Sequence, residues 1–153
     1  MPESRDPFPQ RAATTLPEVI VVVALIALVS GFTLPPLKRG YDRIETRAAA
    51  RATMMAFFVA RAHAVAAGRR TGVLIDAPTQ RVIVVSESDT LMMRPVGIEY
   101  GVTITSTRDS MTYFPDGLGL GAANLSVILR RGAATDTVLV SREGRVKLGA
   151  RAR

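Results

Sequence analysis

Few residues in this chain could do covalent or metal chemistry, and none of them stands in suitable company. His63 is the only histidine. A metal site or a general base needs convergent partners, and no second histidine, no cysteine and no cluster of acids accompanies it. The surrounding pattern places it on a helix flank instead. Gly117-Leu118-Gly119-Leu120-Gly121 has part of a dinucleotide-binding glycine pattern. It lacks the third glycine at the proper spacing and any βαβ unit around it, so a flexible loop is expected. Asp109 and Ser110 have no base with which to form a nucleophilic set. Asn124-Leu125-Ser126 fits the N-glycosylation triplet, a pattern short enough to arise by chance. The absence of cysteine excludes a disulfide framework, a thiolate metal site and a thiol nucleophile without fixing the compartment. The chain is therefore read as a non-enzyme with no cofactor and no metal.

Two other sets of side chains carry physical rather than covalent chemistry. Glu18 is a lone acid at the lip of a long apolar run. A carboxylate in the middle of a bilayer costs roughly 2.5–3.5 kcal/mol, less near the edge, so such a group wants a positive partner. Thr15-x-x-Glu18 is also a capping box, in which the acid satisfies the helix start, and the two roles are compatible. The second set is basic: Arg130, Arg131, Arg142, Arg145, Lys147, Arg151 and Arg153. These residues suit phosphate, and Arg145, Lys147, Arg151 and Arg153 are the candidates for nucleic-acid contact. No aromatic residue lies among them to stack on a base, and a solvated surface is the favoured reading. The whole chain of 153 residues carries a formal charge of +7, from 20 Lys+Arg against 13 Asp+Glu. That excess favours anionic partners without naming one.

The element that must position Glu18 is the run after it. From Val19 to Val29 no side chain is polar. With Leu16 and the end at Phe32–Leu34 the stretch reaches about 19 residues, near the length that spans a bilayer as a helix. Apolarity on every side argues against a core helix and suits lipid. A cleaved secretory signal, cut after Val29-Ser30-Gly31, is the competing reading. Its leading segment carries no net charge, because Arg5 and Arg11 balance Glu3 and Asp6. A retained anchor is preferred. Arg11 precedes the run while Lys38, Arg39 and Arg43 follow it, so basic flanks alone would not place the N-terminus in the cytoplasm.

Thr15-Leu16-Pro17-Glu18 and the apolar run resemble the leader junction of type IV prepilins and type II secretion pseudopilins. The resemblance implies cleavage by a prepilin peptidase between Ala13 and Thr14, with N-methylation of Thr14. Ala13 stands where the family has glycine and Thr14 where it has phenylalanine. Glu18 matches the family glutamate, which is thought to pair with the N-terminal amine of a neighbouring subunit. Pro35 takes the place of the proline that the family carries inside the mature helix. Gly31-Phe32-Thr33-Leu34 mimics the junction but has Pro36 in place of the glutamate and no apolar run after it. Further on, Val59–Asp76, Met111–Gly117 and Ser141–Leu148 are similar to the GspH/FimT-like branch. The partners so implied are other pilin-like subunits, the prepilin peptidase and an inner-membrane assembly platform.

The rest of the chain sets the fold class. Pro35-Pro36 should kink or loosen the helix. Lys38 to Ala67 continues it: Ile44, Ala48, Met55, Phe58, Val59, Ala62, Val65 and Ala66 recur near helical spacing, and Gly68 suits its C-cap. After Gly68 the period becomes that of strands. They are expected at Gly72–Asp76, Arg81–Ser86, Leu91–Arg94, Val102–Ser106, Met111–Phe114, Leu125–Arg130, Thr137–Ser141 and Arg145–Leu148. The expectation is an α+β protein: a long N-terminal helix, transmembrane in its first half and kinked near Pro35, packed on a C-terminal antiparallel β-sheet domain. Residues 1–13 form a leader, 14–37 the transmembrane half, and 38–153 a periplasmic pilin-like domain on a single-pass inner-membrane anchor. The function expected is that of a minor pseudopilin in the pseudopilus of a type II secretion system. The alternative is a minor type IV pilin of the FimT kind, acting in pilus assembly or DNA uptake.

Overall fold

The computed structural model describes residues 15–87, 89–120 and 124–149, with the backbone alone over residues 32–35. Helix α1 (Leu16–Ala67) has 52 residues and runs unbroken through Pro35-Pro36, so the two prolines do not end it. The side chain of Pro35 lies outside the described residues, and the kink there stays an expectation of the sequence. Gly68 follows the helix with φ 62°, the left-handed conformation that glycine adopts without steric cost. The chain divides into two compact units, which meet between Leu37 and Lys38.

The first unit holds the apolar half of α1. Its large aliphatic side chains, from Val19 to Val23 and at Leu25, Ile26, Leu28 and Val29, all keep about half or more of their surface exposed. None of its described residues is buried.

The second unit packs the remainder of α1 with two antiparallel sheets. Strands β1 (Thr71–Asp76), β2 (Arg81–Ser86), β3 (Asp89–Arg94), β5 (Ser110–Tyr113) and β6 (Gly119–Leu120) form one, in the order β3-β2-β1-β5-β6. Strands β4 (Thr103–Ser106), β7 (Leu125–Arg131), β8 (Ala134–Val140) and β9 (Val146–Leu148) form the other, in the order β4-β7-β8-β9. A short helix, α2 (Val96–Tyr100), links β3 to β4. Burial alternates along the strands as period-two elements demand: Val82, Val84 and Ser86 in β2 and Leu125, Val127 and Leu129 in β7 face the core. Each fully buried valine or leucine contributes about 1.5–3 kcal/mol.

From α1 the core receives small side chains. Ala49, Ala50, Ala56, Ala60 and Ala64 are buried, with Thr46 and Thr53 beside them and Phe57 as the one large filler. Alanine lets the β-branched strand residues approach the helix closely, so the volume of the core comes from the sheets. The series that marks the helix in the sequence lies elsewhere. Ile44, Met55, Phe58 and Val65 point outward, with Ile44 68% and Phe58 44% exposed.

Arg131, at the end of β7, ties the helix to the sheets. Its Nε donates to Asp42 Oδ1 at 3.0 Å, its Nη1 donates to the Tyr100 carbonyl, and its guanidinium lies 4.8 Å from the Tyr41 ring centroid. Two glycines make room for this contact. A Cβ at Gly132 would sit 2.7 Å from Asp42 Oδ2, and one at Gly101 would sit 2.7 Å from Arg131 Nη1.

Several local expectations need correction. The glycine-rich segment expected as a flexible loop supplies β6, because Gly119 and Leu120 pair with Tyr113 and Thr112. Strand β3 begins at Asp89 rather than Leu91, its extra length absorbed by an irregularity opposite Val84 and Val85. Strands β7 and β8 run closer together than expected, to Arg131 and from Ala134, around a tight turn at Gly132 with φ 53°. Helix α2 fills the stretch between the strands expected at Leu91–Arg94 and Val102–Ser106, ended by Gly101 in the left-handed region.

Candidate functional site

At the start of α1, Glu18 N–H donates to the Thr15 carbonyl at 3.0 Å and Val19 N–H donates to the same oxygen at 3.2 Å. The Thr15 N–H in turn donates to Glu18 Oε2 at 3.4 Å. This is the acidic half of the capping box: the carboxylate folds back over an otherwise orphan donor. The bond is long, the group is exposed, and a positive charge could displace it. Glu18 is the only ionisable residue between Leu16 and Leu37. The sites expected at Ala13 and Thr14 lie outside the described residues.

Beyond Lys38 the outward face of α1 carries a mostly apolar series, interrupted by Arg51. Tyr41, Ile44, Ala48, Arg51, Met55, Phe58, Ala62 and Val65 follow one another in alternating steps of three and four residues. That spacing keeps them on one stripe, the arrangement by which one helix seats against another. Tyr41, Ile44, Met55, Phe58 and Val65 are each between 44% and 68% exposed. The buried alanines lie on the opposite side of the same helix, so the stripe is not part of this domain's core.

Of the basic candidates, Arg145 and Lys147 come together in one open groove, with Arg142, Glu143, Asn124 and Ser126 around them. The Arg145 guanidinium lies 3.8 Å from the Glu143 carboxylate, which offsets part of the positive charge. Arg151 and Arg153 lie outside the described residues. A second groove, lined by Arg43, Arg47 and Arg51 with Ile44, Ala48 and Gly149, runs beside α1. Its arginines are not among the sites expected from the sequence. The four-residue spacing of its three arginines was the signal that could have revealed it.

The side chains first considered for covalent chemistry hold positions within the packing of the domain. His63 Nδ1 is 3.0 Å from Thr71 Oγ1, joining the end of α1 to the start of β1. No group of histidine, cysteine or acidic residues among the described residues could hold a metal. Burial pushes the Tyr113 phenol up to about 12, and its hydroxyl has no hydrogen-bond partner among the described residues. Hydrogen bonds from Thr79 hold the Asp76 carboxyl below its usual range, as in a tight hairpin turn.

One stretch of α1, in its N-terminal part, is long and apolar enough to cross a membrane, with a mean hydropathy of 2.4. Comparison with curated proteins finds no match. Among solved structures, the type IV minor pilin FimU of Pseudomonas aeruginosa superposes with a TM-score of 0.60 at 15% identity, over 71% of this chain and 90% of that one. The minor pseudopilin EpsH from the type II secretion system of Vibrio cholerae gives 0.56 at 12% identity, over 72% and 97%. At these identities the likeness shows the fold: a long helix on antiparallel sheets. The family model described as type II transport protein GspH matches residues 49–144, which is more than half of the chain and takes in the buried face of α1 and all but the last strand. The chain belongs to the GspH family and has the fold of the minor pilin FimU and the minor pseudopilin EpsH.

Proposed function

We propose that this protein is a minor pseudopilin, a structural subunit of the periplasmic pseudopilus of a type II secretion system. The observation that carries the reading is the placement of large apolar side chains on α1. From Leu16 to Val29, and at Leu37, they are exposed on every side, and beyond Lys38 they form the outward stripe of Tyr41, Ile44, Met55, Phe58 and Val65. A helix so built has its apolar contacts outside its own chain, first with lipid and then with helices of other subunits. The type II transport description of the family favours the secretion machine. In this reading residues 1–13 are a leader removed by the prepilin peptidase between Ala13 and Thr14, and Thr14 is methylated. Residues 14–37 anchor the protein in the inner membrane, and residues 38–153 stand in the periplasm. Glu18 exchanges its long bond to Thr15 for the amine of an adjacent subunit when the assembly platform adds it to the filament. The role is structural, not catalytic.

Two measurements test this. Mass spectrometry of the membrane form is expected to find methylated Thr14 as the N-terminus; an intact Met1 or a start at Phe32 counts against the reading. Glu18→Ala is expected to leave the membrane level of the protein unchanged and to abolish its incorporation into filaments. Normal incorporation would remove Glu18 from the mechanism.

The likeness to FimU favours a second reading, a minor type IV pilin. There the groove at Arg145 and Lys147, with Arg151 and Arg153, would meet DNA phosphates. Binding that weakens steeply with salt, and falls when these four bases become alanine, supports it. Deleting the gene and scoring secretion against pilus display separates the two machines.

A further inference from the structure

A row of bases begins immediately after the apolar half of α1, and among the described residues only one of its members, Arg47, has an ion-pair partner. Lys38, Arg39, Arg43, Arg47 and Arg51 fall within fourteen residues of one helix. Only two acids share that interval. Asp42 turns inward to Arg131. Glu45 lies two residues from both Arg43 and Arg47, a spacing that does not place helical side chains together. Arg47 reaches Asp136 at 3.6 Å. Lys38, Arg39 and Arg43 are exposed and make no ion pair among the described residues. Like charges four residues apart, as at Arg43, Arg47 and Arg51, weaken an isolated helix by about 0.2–0.5 kcal/mol per pair. Apart from the pairing of Arg47 with Asp136, the row therefore costs local stability and returns none among the described residues.

Its place along the helix identifies the ligand. Twenty-two residues, Leu16 to Leu37, rise about 33 Å as a helix, slightly more than the roughly 30 Å hydrocarbon core. Lys38 is then the first residue at headgroup depth, and Arg43 stands about 8 Å further along the axis. Tyr41, half exposed, sits between them, the residue type enriched where a helix leaves the lipid. We propose that Lys38, Arg39 and Arg43 bind the phosphates of anionic phospholipids in the leaflet facing the folded domain, with the Tyr41 ring seated among the headgroups. This rests on the reading of Leu16–Leu37 as a membrane span. It also accounts for bases on the side of the span where the positive-inside tendency would not put them. They hold the membrane-resident subunit through lipid until it is taken up by the filament.

The test uses the full chain in two kinds of vesicle: phosphatidylcholine alone, and phosphatidylcholine with a minority of phosphatidylglycerol. Flotation reports insertion. Native mass spectrometry of the protein extracted from the mixed vesicles reports which lipids stay bound. Insertion into both vesicles with preferential retention of phosphatidylglycerol is expected. The preference should fall on the order of five-fold for each base removed among Lys38→Gln, Arg39→Gln and Arg43→Gln. Lys38→Arg with Arg39→Lys and Arg43→Lys should preserve it, and so should Arg142→Gln with Lys147→Gln in the other groove. Added salt should erode the wild-type preference, a readout that stands even where the neutralised variant fails to fold. Insertion without lipid preference overturns the proposal and leaves the span intact. Failure to insert into either vesicle overturns the span, and the proposal with it. A preference that follows Arg142 and Lys147 instead overturns the assignment to α1.

Discussion

The two halves of α1 solve different problems with similar residues. Between Leu16 and Val29, and at Leu37, the large aliphatic side chains are exposed on every side. Between Lys38 and Ala67 the helix is sided, and the division runs against the usual expectation: alanine, threonine and one phenylalanine face the core, while Ile44, Met55, Phe58 and Val65 face away. In both halves, then, most of the large apolar groups point outward, Phe57 and the half-buried Met54 being exceptions. The domain's own stability comes from strand residues closing on a nearly smooth helix. In the proposed function that outward bulk meets lipid in one half and other subunits in the other.

The sharpest way to break this comparison is at the one place where the inner face is not smooth. Phe57 is fully buried, while Phe58, its neighbour in sequence, is 44% exposed. Phe57→Ala leaves a cavity and is expected to cost about 3–5 kcal/mol in denaturant unfolding of the full chain in detergent. A cost below about 1 kcal/mol would mean that the inner face is loosely packed.

The next effect concerns the smoothness itself. Ala60 is completely buried, whereas Ala62 lies on the outward stripe. Ala60→Leu drives a branched side chain into the close approach of helix and strands and should destabilise by about 1–3 kcal/mol. Ala62→Leu should fall within about 0.5 kcal/mol of the wild type in the same titration. Equal costs would show that the two faces are not distinct.

Tyr113 sharpens the comparison by its dependence on pH. Its hydroxyl is buried without a partner, and burial raises its pKa from 10.0 to about 12. The unfolded chain therefore loses this proton at lower pH than the folded one, and stability falls as pH rises from 10 to about 12. The loss should approach about 2 kcal/mol. Tyr113→Phe should remove that alkaline loss and be nearly neutral at pH 7, because no hydrogen bond is given up. An alkaline loss that persists in Tyr113→Phe would assign it to another group.

Much of this architecture is legible in the sequence, for identifiable reasons. The change from helical to two-residue period at Gly68 marks the end of α1 within a residue, and the strands lie between turn residues, as at Ala77-Pro78-Thr79-Gln80. Thr15-x-x-Glu18 announces the bond from the Thr15 amide to the carboxylate. The inward face was hidden because a periodicity weighted by large residues finds Ile44 and Phe58 and passes over alanine. The contact of Arg131 with Asp42 joins residues 89 apart in sequence, where no local pattern can signal it. Helix α2 and strand β6 are too short to carry a period, and pairing with β5 decides the latter. Of the candidate site, Glu18 and the basic groove residues were visible by charge. The outward stripe was visible as a period, but its direction belongs to the packed structure.

The smallest expected effect on stability is the most informative about assembly. Met55 and Phe58 are 56% and 44% exposed and lie three residues apart on the stripe. Met55→Ser with Phe58→Ser removes apolar surface that the isolated domain does not bury, so unfolding should shift by no more than about 0.5 kcal/mol per site. If the stripe seats against other subunits, the same pair of changes should sharply reduce cross-linking to neighbouring pilin-like helices, each buried large side chain being worth about 1.5–3 kcal/mol in that interface. A variant that keeps both its stability and its cross-links would leave the outward bulk of α1 without a role. The difference between the two faces would then reflect only the close approach of the strands.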